Sequence, residues 1–130
     1  MKRALLAAGL LASAAWPAQA TGELTCAGEG VSIDLLFGHM DVLSIARAVI
    51  TIGSENWSTA PDIMPGTQIT VGQGFEDDRM LVVDFTDANV AEVLGRLRVV
   101  KAEEGDSRVA GGVFTFKGKG AFVVDCSEIQ

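Results

Sequence analysis

The 130-residue sequence has no tyrosine, a single histidine and only two cysteines. His39 cannot belong to a histidine cluster around a metal, and sequence alone supplies no triad for it to orient. No serine stands in a Gly-x-Ser-x-Gly setting, so acyl transfer by that arrangement has no support. The phosphate-binding P-loop pattern is missing. The Gly-x-Gly pairs at 28/30, 72/74 and 118/120 lack the helix start and third glycine of a dinucleotide fingerprint, and they read as turns. The acidic groups Glu76-Asp77-Asp78, Asp84 with Asp87, and Glu103-Glu104 with Asp106 do not have the alternating spacing of an EF-hand loop. Turn solvation and helix capping account for them, and no catalytic residue, cofactor or metal is assigned. A carboxylate pair working as a small hydrolase stays open, because the separation it needs is a spatial fact.

Basic residues are also scarce, 10 against 17 acidic ones. Two of the ten, Lys2 and Arg3, begin a leader: a positive start, an apolar stretch from Ala4 to Ala15, and small residues at Ala18-Gln19-Ala20 where cleavage is expected. The apolar stretch is roughly 12 residues, short of the roughly 20 that cross a bilayer as a helix, and Pro17 follows it. Residues 1–20 therefore read as a signal peptide and 21–130 as one β-rich domain, periplasmic or secreted, with no stable membrane anchor. The mature chain keeps 8 basic and 17 acidic residues, a charge of −9. Nucleic acid is a poor partner for such a surface, whereas a basic protein is attracted to it. A monomer is expected.

In an oxidising compartment Cys26 and Cys126 are expected to pair. Closing a loop of roughly 100 residues removes about 4 to 5 kcal/mol of unfolded-state entropy in the chain-entropy model. No free thiol then remains as a nucleophile.

Period-2 alternation dominates the mature chain. Val31, Ile33, Leu35 and Phe37 alternate with Ser32, Asp34 and Leu36, and Val42 to Ile52 makes a second strand followed by a turn at Gly53–Asn56 and a short return strand. Pro61 and Pro65 mark a loop. Gln68 to Val71 forms a short strand, Gly72-Gln73-Gly74 a flexible break, and Met80 to Phe85, Leu97 to Lys101, Val113 to Lys117 and Ala121 to Cys126 further strands. One segment changes period: Val90, Val93, Leu94 and Leu97 fall on one helical stripe behind the capping candidates Thr86 and Asp87, which predicts a short helix over about 87–96. The fold class expected is mostly β, a small antiparallel β-sandwich or barrel with one short helix and its terminal strands joined by the disulfide.

Trp57, beside a turn, either anchors a partner or plugs one end of the core. The layout resembles small exported proteins of Gram-negative bacteria. A signal peptide, Cys26 just inside the mature start followed by Gly28-Glu29-Gly30, and the closing segment Gly118-Lys119-Gly120-Ala121-Phe122-Val123-Val124-Asp125-Cys126 also resemble the periplasmic inhibitors of C-type lysozyme. The Ser-Gly-x-x-Tyr motif of that family is missing. The resemblance implies an antiparallel barrel that blocks a basic muramidase through a Lys-Gly step, at Lys117-Gly118 or Lys119-Gly120. Trp57, Lys117 and Lys119 are thus the candidate partner-binding residues of a noncatalytic binding domain. A structural or envelope-associated accessory protein is the alternative.

Overall fold

A computed structural model describes residues 20–39 and 42–129. The expected signal peptide lies outside them except for Ala20. Nine strands follow in order: β1 (Ala20–Gly28), β2 (Val31–His39), β3 (Leu43–Ile52), β4 (Glu55–Ser58), β5 (Thr67–Glu76), β6 (Met80–Asp87), β7 (Val93–Glu104), β8 (Ser107–Phe116) and β9 (Gly120–Ile129). They close into one barrel in sequence order, with β9 pairing back onto β1. Only β4 and β5 are parallel, through Trp57 and Ser58 beside Thr67 and Gln68. Of the two architectures left open by the sequence, the barrel is the one found.

The alternation decides which side chains fill it. Val31, Ile33, Leu35 and Phe37 of β2 are buried, and Val83 and Phe85 of β6, Leu97 and Val99 of β7, Phe114 of β8 and Val124 of β9 meet them inside. Each such side chain contributes about 1.5–3 kcal/mol by leaving water. On the outer face of β1 and β2 a polar pair meets solvent, with Thr25 Oγ1 donating to Asp34 Oδ1 at 2.8 Å. The expected Cys26–Cys126 disulfide is present. The two cysteines are direct register partners on the β1–β9 seam, so the bond crosses the pair of strands that closes the barrel.

Two expectations are corrected. The short helix over 87–96 does not form, and no helix occurs among the described residues. Residues 88–92 make a turn and Val93 begins a twelve-residue strand. Asp87 still caps, but it caps a turn: its Oδ1 accepts the N–H of Ala91 at 2.7 Å and of Glu92 at 3.2 Å. Strand pairing wins because Gly95, Leu97 and Val99 form an inward period-2 row. Gly95 lies so close to the rings of Phe114 and Phe116 that a Cβ there would meet both at 3.2 Å. The break expected at Gly72-Gln73-Gly74 is instead a β-bulge inside a continuous β5. Gly72 is required there, since a Cβ would stand 2.6 Å from Thr86 Cγ2.

The strand directions give the barrel two unlike ends. The β1–β2, β3–β4, β6–β7 and β8–β9 turns gather at one. The β2–β3, β5–β6 and β7–β8 connections gather at the other, with the start of β1 and the finish of β9. Aromatic rings close the first end: Trp57 packs on Phe116 at 4.6 Å between centroids, and Phe116 and Phe85 pack on Phe114 at 6.1 and 6.3 Å. At the second, Phe37 of β2 is buried and Leu43 and Ile45 of β3 pack against the core, which leaves the side formed by β1 and β6 to β9 without an aromatic ring.

Candidate functional site

At this second, open end the inward rows finish in residues too small or too polar to fill the lumen. Leu24 of β1, Leu81 of β6 and Val99 of β7 form an apolar floor, and Ala110 of β8 and Cys126 of β9 continue it. Above them is a cavity of about 870 Å³. Its rim comes from the β5–β6 turn (Glu76, Asp77, Asp78), the β7–β8 hairpin (Lys101, Glu103, Arg108) and the end of β9 (Glu128). Five carboxylates therefore face two cations.

The cations are already engaged. Lys101 Nζ donates to Glu76 Oε2 at 2.8 Å and to the Asp77 carbonyl at 3.1 Å, in a half-buried pair that fixes the β5–β6 turn to β7. Arg108 Nε lies 3.3 Å from Glu103 Oε1 across the hairpin, where both side chains are mostly in water and the pair adds little stability. Asp77 Oδ1 accepts the backbone N–H groups of Arg79 and Met80, both at 2.8 Å. These two bonds favour the ionised form and hold the Asp77 carboxyl below its ordinary value of 3.8. The rim thus keeps a negative surplus over an apolar floor.

The candidate partner-binding residues Trp57, Lys117 and Lys119 fall at the opposite end, whereas His39 and the Glu76-Asp77-Asp78 and Glu103 carboxylates lie at the open one. Trp57 is 7 % exposed and belongs to the core. Lys119 Nζ sits 5.7 Å from its ring centroid and bonds Glu55 Oε1 at 2.8 Å, so these two residues are brought together. Lys117 pairs with Glu92 of the β6–β7 turn. Both lysines are held by carboxylates on neighbouring turns. His39 ends β2 opposite Leu43 and Ala20. Among the described residues no three histidine, cysteine or acidic side chains converge as metal ligands.

Sequence reasoning passed over the open end because its rim is assembled from three separate turns and strand ends. Asp84, grouped with Asp87 in the sequence as a solvated turn or cap, is instead 9 % exposed in the middle of β6. Its Oδ1 lies 2.9 Å from Arg98 Nη2 of β7, but out of line for a hydrogen bond, so the contact is Coulombic. Arg98 spends its aligned N–H groups on the carbonyls of Leu97 and Val83. The pair staples β6 to β7 on the outer surface. No family model, curated protein or solved structure matches this chain.

Proposed function

We propose that this is a noncatalytic binding domain, exported to the periplasm or beyond, whose open barrel end receives a basic protein. The observation that carries the reading is the acid-rimmed cavity itself: Asp77, Asp78 and Glu128 remain as surplus negative charge after Lys101 and Arg108 are matched to Glu76 and Glu103. A focused field of one sign raises the encounter rate with a cationic partner. The disulfide fits an oxidising compartment. The likeness to lysozyme inhibitors points to a basic muramidase as the partner and to Lys117 and Lys119 as its contacts. Because those lysines are already paired, the open end is favoured as the binding surface.

A second reading, an envelope-associated accessory domain, is favoured by one observation. Phe75, Val82, Arg98, Val113 and Val123 line up across the outside of β5 to β9, and Phe75, Val113 and Val123 are exposed. Affinity capture from a periplasmic extract, with wild type beside Asp78→Asn/Glu128→Gln, tests the first reading. Basic proteins retained at about 0.15 M salt by wild type and lost from the double variant support it. Retention that ignores the rim substitutions refutes it.

A further inference from the structure

The closed end of the barrel is stoppered by Trp57, Phe85, Phe114 and Phe116, while the inward positions of the open half carry Leu24, Leu81, Val99 and Ala110. Phe37 of β2 also fills part of the open half, and the space left unfilled is the side bounded by β1, the β5–β6 turn and β7 to β9. A cavity of about 870 Å³ is within the range of about 300–1,000 Å³ that holds drug-sized ligands, and barrel mouths are a common place for them. Its floor is apolar and its walls are strands of a disulfide-closed barrel, so the shape exists before any ligand arrives.

We propose that the open end is a binding site for a small amphiphile, an aliphatic chain carrying an ammonium or guanidinium head. The chain lies against Ala110 and Cys126, the partly exposed apolar lining above the buried Leu24, Leu81 and Val99, and displaces water there. The head stays at the rim beside Asp78 and Glu128, neither of which is in an ion pair among the described residues. Lys101 is a poor partner for an anionic head, because the Glu76 carboxylate already balances its charge and two of its three N–H groups go to Glu76 and the Asp77 carbonyl. The inference rests on the open end being the binding end and gives that end a ligand of its own. A lysine side chain of a partner protein shares the chemistry of alkyl stem and cation. The size of the cavity favours the free, longer amphiphile.

Wild-type protein, isotopically labelled, is titrated below micellar concentration with decyltrimethylammonium, decyl sulfate and butylammonium, the last as a mimic of a lysine side chain. Decyltrimethylammonium should shift the methyl resonances of Leu24, Leu81 and Val99 at one-to-one stoichiometry and bind at least about tenfold more tightly than either other probe. Asp78→Asn/Glu128→Gln should weaken it at least about fivefold, and Ala110→Trp, which fills the cavity and changes no charge, should abolish it. Decyl sulfate binding equally well, or shifts confined to Val113 and Val123 on the outer face, would overturn the proposal. Butylammonium binding as tightly as the decyl compound would assign the site to a protein side chain and overturn it too. Since the wild-type shifts locate the ligand directly, misfolding of Ala110→Trp does not rescue the idea. A basic protein binding where no amphiphile does would sink this inference and leave the proposed function standing. The reverse result would sink the basic-protein reading alone.

Discussion

Reduction of the Cys26–Cys126 bond should remove a large part of the stability of the barrel without dismantling it. The bond spans 100 residues, and the chain-entropy model assigns a loop of that size about 4.7 kcal/mol. Domains of this size have about 5–15 kcal/mol in all, so roughly a third to most of the total is at stake. The folded state should lose little, because Glu23 to Ala27 still pair with residues 125–129 across the seam and Cys26 stays fully buried. The effect therefore falls on the unfolded chain, which expands once the tether is cut. Urea unfolding followed by the fluorescence of Trp57, buried against Phe116, measures both consequences with and without dithiothreitol. With a slope of about 1.5 kcal/mol/M, the midpoint should fall by about 3 M and the slope itself should rise. A loss below about 1 kcal/mol with an unchanged slope would refute the reasoning, and would mean that the β1–β9 ladder holds the barrel closed unaided.

Three smaller perturbations check other parts of the structure. Val90 is a β-branched residue with φ of 56° and is 58 % exposed, so Val90→Asn should stabilise by about 1 kcal/mol in thermal unfolding, and a loss would show that its side chain packs usefully. Leu97→Ala should cost about 2–5 kcal/mol and Val93→Ala under about 1.5, since only the former is fully buried; equal costs would revive the helical stripe. Asp77 is held below 3.8 in the folded state, so its stabilisation is complete above that pH and is lost as the pH falls through the lower folded value. Asp77→Asn should flatten the acid limb of the stability curve, and an unaltered limb would discount the two backbone bonds.

The strands and the disulfide were legible because both rest on simple rules. Alternation over 31–37 and 121–126 marks one inward and one outward face, and two cysteines leave one intramolecular pairing. The helix reading failed where two periods coincide: Val90, Val93, Leu94 and Leu97 satisfy a helical stripe, while Gly95, Leu97 and Val99 satisfy a strand. Gly95 and the β-branched valines were the signal in favour of the strand, and they were outweighed by the acidic cap. The disulfide already pointed to neighbouring terminal strands, but closure of the barrel was not readable, because it also needs every intervening strand to pair with the next in order, the parallel β4–β5 step included.

The site was harder still. Glu76-Asp77-Asp78 and Glu103-Glu104 look like separate solvated turns, and in a simple up-and-down meander alternate turns share an end. That parity argument needs a correct strand count, and the parallel β4–β5 pair, reached through the loop at 59–66, breaks it. A helix placed across 87–96 removes a further reversal from the count. Trp57 and the Lys-Gly steps drew attention for their residue types, whereas the open end is defined by what its inward positions lack.

The central claim is that the acid-rimmed open end, and not the lysine-bearing closed end, receives a basic partner. Calorimetric titration of a C-type lysozyme into wild type, Asp78→Asn/Glu128→Gln and Lys117→Ala/Lys119→Ala tests it most directly, at ionic strengths of about 0.01 M and 0.15 M where the screening length falls from about 30 to about 8 Å. The account predicts binding that survives at the higher salt, weakens at least about tenfold in the rim variant and is nearly unchanged in the lysine variant. Binding lost with the two lysines and retained without the rim carboxylates would contradict it.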